Sequence, residues 1–138
     1  MIPTVVIDAG PLVALFEARD HQHRWSVAAL AVRARLVTCE AVISEACFLL
    51  RRGSGKPAIA ALFQFMGEGG LTLQPLDQEA RALGRLMARY ANVPMSFADA
   101  CLVRLAELNL RARVMTLDRD FSIYRRDSRQ VIPLIAPF

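Results

Sequence analysis

Four carboxylates stand where sequence context makes them chemically conspicuous. Asp8 directly follows the β-branched run Thr4–Ile7 (TVVI), and Asp118 follows a second run, Arg113–Thr116, with only Leu117 between. Taken singly, each also fits an ordinary turn or cap aspartate. Glu45 interrupts the apolar stretch AVISEACFLL, and helical spacing sets Val42, Glu45 and Leu49 on one stripe. A carboxylate on an inward stripe has to be paired, neutralised or bound to a metal. The plainer alternative is partial exposure or pairing across helices. Arg52 lies on the same stripe, but too far along for a close intrahelical pair. Asp99 ends the segment Ser96-Phe97-Ala98-Asp99, which has the form of a capping box with Ser96 as N-cap. The box ordinarily takes the longer Glu or Gln at its last position.

Together, Asp8, Glu45, Asp99 and Asp118 come from four separate segments. Four carboxylates brought close repel one another unless cations lie between them. An all-oxygen acidic set suits a hard ion such as Mg²⁺ or Mn²⁺. Such ions activate water and stabilise the leaving oxygen in phosphodiester cleavage.

The elements that must position these acids alternate. Short β-type runs at Thr4–Ile7, Leu36–Thr38, Leu71–Leu76 and Arg113–Thr116 are separated by helical stretches, with Val131–Ile135 as a last edge strand. Pro75 argues for an edge position for the third run. Helices are predicted after Pro11, after Asp20 with Trp25, Ala28 and Ala29 on one face, over Glu40–Arg52 and over Pro57–Met66. Two more are predicted: one capped by Asp77 with Ala80, Leu83, Met87 and Tyr90 inward, and one from Ser96 to about Leu108. Strands alternating with helices imply right-handed crossovers and a mainly parallel sheet. In such sheets function gathers beyond the carboxyl ends of the strands.

Composition narrows the class. The chain has 138 residues, 54% of them hydrophobic and 22% charged, which fits one domain over 1–138 and excludes disorder. Seventeen basic residues face 13 acidic ones, for a net charge of +4. All the basic residues except Lys56 are arginines, whose planar fork meets phosphate in bidentate geometry. Arg51, Arg52 and Lys56 form one basic group; Arg119, Arg125, Arg126 and Arg129 form another. Arg119, beside Asp118, is the best placed to touch a polyanion. Cys39, Cys47 and Cys101 form no C-x-x-C pair and read as reduced thiols of a cytoplasmic protein. The N-terminus lacks the basic segment of a secretory signal, and no apolar run approaches membrane-spanning length.

Four segments in order, VVIDAGPLVALF, AVISEACFLL, MSFADACLVRLAEL and VMTLDRDF, resemble the PIN-domain family, in particular the small VapC-type toxin ribonucleases. The resemblance runs from about Thr4 to about Ile135. It implies a three-layer α/β/α fold around a mainly parallel sheet of four to five strands. It also implies Mg²⁺- or Mn²⁺-dependent endoribonuclease activity, with Asp8, Glu45, Asp99 and Asp118 as the acidic quartet. Thr116 matches a residue that supports the last acidic site, and Ser96 and Asp120 take supporting places. Gly10 departs from the pattern, since many members carry a hydroxyl or amide there. Similar proteins are homodimers, inhibited by a small antitoxin of VapB type. The competing reading keeps the fold and drops the catalysis, leaving a module that binds nucleic acid or protein.

Overall fold

The computed structural model describes residues 2–138. Five parallel strands form the central sheet: β1 (Thr4–Ile7), β2 (Arg35–Thr38), β3 (Thr72–Leu73), β4 (Arg113–Met115) and β7 (Leu134–Ile135). Their order across the sheet is β3-β2-β1-β4-β7. The strands β5 (Arg125–Arg126) and β6 (Gln130–Val131) pair antiparallel in a separate hairpin.

Chain order on this sheet dictates the layers. From β1 the chain steps outward to β2 through α1 (Ala9–Phe16) and α2 (His23–Ala29), then to β3 through α3 (Glu40–Arg52) and α4 (Lys56–Gly67). Both crossovers run in one direction, so right-handedness places their helices on one face. The chain then doubles back across β2 and β1 to reach β4 through α5 (Ala80–Arg89) and α6 (Phe97–Leu108). That reversal places α5 and α6 on the opposite face. Element contacts agree: α1 packs on α2, α3 and α4, whereas α6 packs on α5, β1 and β4 and also meets α3 of the other layer. The result is the expected three-layer α/β/α fold. Its direction of winding switches between β1 and β4, and the crevice at their carboxyl ends is where such sheets bind ligands.

The central strands are buried on both faces, with Val6, Ile7, Val37, Val114 and Met115 fully enclosed. This is the continuous apolar pattern of a parallel sheet. Four expectations are corrected at element ends. The third strand is only Thr72–Leu73, because Pro75 has no N–H to continue the ladder. Val131–Ile135 is divided at Pro133: Gln130–Val131 joins the hairpin, and Leu134–Ile135 forms the sheet edge. Helix α5 begins at Ala80 with Glu79, not Asp77, as N-cap, and its buried side chains are Leu83 and Leu86, with Met87 partly exposed. Helix α2 begins at His23, while Asp20 accepts from the Gln22 amide in the preceding turn at 2.9 Å. There Ala28 faces solvent and Trp25 is half-buried against the core.

Candidate functional site

The chain leaves β1 and β4 at the same height, because Ile7 pairs with Met115 and the Asp8 amide donates to the Met115 carbonyl at 2.9 Å. Asp8 is the N-cap of α1, and its Oδ1 accepts from the Ala9 amide at 2.7 Å. Its Oδ2 accepts from the Thr116 hydroxyl at 2.7 Å. The same hydroxyl accepts from the Asp118 amide at 3.0 Å. One buried threonine therefore locks the first and last acids to each other across the switch point. Thr38 adds a strut on the other side, donating from Oγ1 to the Ile7 carbonyl at 2.8 Å.

Asp99 is supplied from the opposite helical layer. The capping box forms in full: Ser96 Oγ accepts from the Asp99 amide at 3.0 Å, and the Ser96 amide donates to Asp99 Oδ2 at 3.2 Å. The Tyr124 hydroxyl donates to the same Oδ2 at 3.0 Å. The shorter carboxylate thus completes the cap and is held by a second donor. Tyr124 is itself fully buried, edge-on to both Tyr90 and Phe121 with ring centroids 5.1 Å away in each case. Burial, followed by the charge of Asp99, raises its phenol above the ordinary range, so it remains a donor. Asp118 caps the short 3₁₀ turn Arg119–Ser122, with Oδ1 accepting from the Asp120 amide at 2.9 Å.

Asp8, Glu45, Asp99 and Asp118 line one open cavity of about 730 Å³, together with Gly10, Leu49, Ser96, Leu117 and Arg119. The electrostatics are those of unneutralised acids. Burial raises the Asp8 carboxyl from 3.8 to about 6, opposed by the bonds from Thr116 and Ala9 and assisted by the charges of Asp99 and Glu45. Glu45 is raised by burial and then by Asp99 and Asp118. Asp120 is raised chiefly by the charge of Asp118.

One expectation for Glu45 changes: its side chain is not on the inward face of α3 but exposed at the cavity rim. The inward stripe of that helix is Val42, Ile43, Ala46 and Leu50. The basic candidates divide. Arg119 lines the acid cavity, with its guanidinium 4.9 Å from the centre of the Phe138 ring. Arg51 and Lys56 line a different groove with Ile59 and Phe63, and Arg52 lies over the Phe48 ring. Arg125 is turned back onto the carbonyls of Ser122, Ile123 and Tyr124. Gly10 acquires a steric reason: a Cβ there would stand 3.2 Å from Leu117 Cδ1, so glycine lets α1 approach the loop after β4.

Tyr124 was not legible as a site residue. It lies in no motif with the acids, and only the turn after β4 brings it beneath Asp99. The donor set is wholly oxygen, with the raised carboxyls of Asp8 and Glu45 that a cation would relieve, and it fits a hard divalent ion. Among the described residues, no three His, Cys, Asp or Glu side chains form a ready-made metal cage. Mg²⁺ is suited to such a site, because it keeps several waters and takes only one or two carboxylates.

Sequence and structure comparisons define the class. The family model of the PIN domain matches residues 5–127, and the chain belongs to that family. Among solved structures, the fold is similar to VapC20 of Mycobacterium tuberculosis, described as a sarcin-ricin loop cleaving toxin. The TM-score is 0.77 at 22% sequence identity, over 94% of this chain and 99% of that one. Comparison with curated protein sequences gives no match. Among the described residues, no helix is long and apolar enough to cross a membrane.

Proposed function

We propose that this protein is a metal-dependent endoribonuclease that hydrolyses RNA phosphodiester bonds, acting as the toxin of a toxin–antitoxin pair. The observation that carries the reading is the convergence of Asp8, Glu45, Asp99 and Asp118 on one cavity at the switch point of a PIN fold. Asp8, Asp99 and Glu45 would hold Mg²⁺ or Mn²⁺, with Asp118 completing that site or a neighbouring one. When bound, such an ion would supply a water of lowered pKa and screen charge on the phosphate. The chain does the rest. Thr116 orients Asp8 and Asp118. Tyr124 and Ser96 orient Asp99. A carboxylate of the pocket accepts the proton of the attacking water. Arg119 reaches a phosphate beside the cleaved bond.

The fold shared with VapC20 supports RNA as the substrate and a small VapB-type antitoxin as the partner. Leu49 on the cavity wall and the neighbouring Phe48, 60% exposed, offer such a partner apolar surface beside the acids. A homodimer and a cytoplasmic location belong to the same reading.

Purified protein is expected to cleave structured RNA with Mg²⁺ or Mn²⁺, and to lose that activity with chelator and in Asp8→Asn and Asp99→Asn. Failure to cleave any RNA with either metal, or equal cleavage by both variants, would leave the non-catalytic binding module as the better account. Growth arrest on expression, relieved by a co-expressed small partner, tests the toxin assignment separately. Light scattering tests the dimer.

A further inference from the structure

Two of the three cysteines form a unit that the acid pocket does not use. Cys39 is the N-cap of α3 and Cys101 lies in the second turn of α6, so the pair spans the two helical layers. Both are free thiols and nearly fully buried, at 3% and 2% exposure. Their side chains meet on the wall of a single cavity. It has a volume of about 400 Å³ and is bounded further by Gln74, Leu76, Asp77 and Phe97. That cavity admits a small oxidant to sulfurs that are otherwise enclosed. Cys47, two turns further along α3, lies on neither wall.

We propose that Cys39 and Cys101 are a thiol modification site at which hydrogen peroxide forms an intramolecular disulfide that lowers the activity of the acid pocket. The Cys39 sulfur is the better nucleophile. It stands at the N-terminus of the 13-residue α3, where the helix dipole favours a thiolate. The Cys39 thiolate attacks one oxygen of peroxide, breaking the O–O bond and leaving a sulfenic acid and hydroxide. The Cys101 sulfur then attacks the sulfenic sulfur, its proton leaves with the departing hydroxyl, and water is released. In sum, two thiols and one peroxide give one disulfide and two waters.

The consequence for the site is geometric and rests on the proposed ribonuclease reading. Cys101 lies two residues past Asp99, and Cys39 begins the helix that carries Glu45. A disulfide holds its sulfurs at about 2 Å, well inside the separation of two thiols in van der Waals contact. Closing the bond therefore draws the start of α3 toward α6 and shifts two of the four acids relative to Asp8.

The test uses the full chain in a Cys47→Ser background, titrated with peroxide and analysed by intact mass and peptide mapping. The expected product is a monomer lighter by two hydrogens, with the Cys39 and Cys101 peptides linked and thiols restored by dithiothreitol. RNA cleavage by this species is expected to fall by about tenfold or more and to recover on reduction. Cys101→Ala is expected to form no intramolecular disulfide and to keep its cleavage rate after mild oxidation and reduction. Stepwise oxygen addition to single cysteines, or exclusively intermolecular crosslinks, would overturn the site. A disulfide that leaves cleavage unchanged would overturn its effect on the pocket. If the reduced protein cleaves no RNA, the mass measurement still decides the disulfide, so the two readings fail separately.

Discussion

Helix α1 carries one acid at each end, and the two are equally hidden: Asp8 at the N-cap and Glu17 at the C-cap are each 9% exposed. The helix dipole favours the charged form of Asp8 and disfavours that of Glu17. Their pKa shifts run the other way. Asp8 is raised to about 6 by burial and by acidic neighbours. Glu17 is lowered by the Ser54 hydroxyl, which donates to Oε1 at 2.7 Å, and by the Ser54 amide, which donates to Oε2 at 2.8 Å. Gly53 makes room for this bracket, since a Cβ there would lie 2.7 Å from Glu17 Oε2. Glu17 is thus an acid whose charge the fold satisfies, tying the α3–α4 turn to the end of α1. Asp8 is an acid whose charge burial and acidic neighbours disfavour. Tertiary partners, not helix position, decide which way each carboxyl shifts.

Asp8→Asn is expected to lower metal-dependent cleavage by roughly a thousandfold or more, as loss of an ion-holding carboxylate removes both positioning and charge stabilisation. A residual rate within tenfold of the parent would place the chemistry elsewhere. The next effect is at the hydroxyl that links the acids. Thr116→Val keeps the shape but leaves Asp8 Oδ2 and the Asp118 amide without their partner. A loss of about 10- to 100-fold in cleavage or metal affinity is expected.

Stability against pH separates the two ends of α1. With chelator present, the raised Asp8 group means that the folded protein binds more protons than the unfolded chain between 3.8 and about 6. Its contribution to stability therefore declines as pH rises through that window. Thermal melts should show Asp8→Asn more stable than the parent at pH 7, by about 1–2 kcal/mol, with the advantage gone below pH 4. Mg²⁺ should raise the melting temperature of the parent and not of the variant. Glu17 has the opposite sign: its lowered group contributes stability above the ordinary 4.5, lost as pH falls through the folded value. Glu17→Gln is expected to melt roughly 5 °C lower at pH 7 and to converge with the parent in acid. The smallest effect concerns Tyr124→Phe, which removes one of two donors to Asp99 Oδ2. Cleavage should fall by about 3- to 10-fold, with metal affinity changing more than RNA affinity.

Much of this molecule was legible in its residues. The helix Glu40–Arg52 and the start of α6 at Ser96 follow from composition and caps close to where they occur. Local rules sufficed there because neighbouring residues along the chain supply the partners. They failed where a distant contact decides. Glu45 reads as inward by stripe, yet α3 docks through Val42, Ala46 and Leu50 and leaves it at the rim. Asp77 reads as a cap, yet α5 starts at Ala80, with its N-cap Glu79 held by Arg104 of α6 at 2.6 Å. Arg51, Arg52 and Lys56 share a basic run but not the acid cavity, because α3 and its turn carry them to other surfaces.

By itself the sequence determined the alternation of strands and helices, the parallel sheet that alternation requires, and four candidate acids, Asp8, Asp99 and Asp118 at element ends and Glu45 within a helix. Hydrophobic periodicity and caps act over a few residues, so they are written locally. Only the tertiary structure decided that the acids meet. The reversal of strand order between β1 and β4 brings residues more than a hundred positions apart, Asp8 and Thr116, to 2.7 Å. Other long-range contacts placed Tyr124 under Asp99 and Ser54 against Glu17, and so decided which acid is bracketed by donors and which is raised by burial.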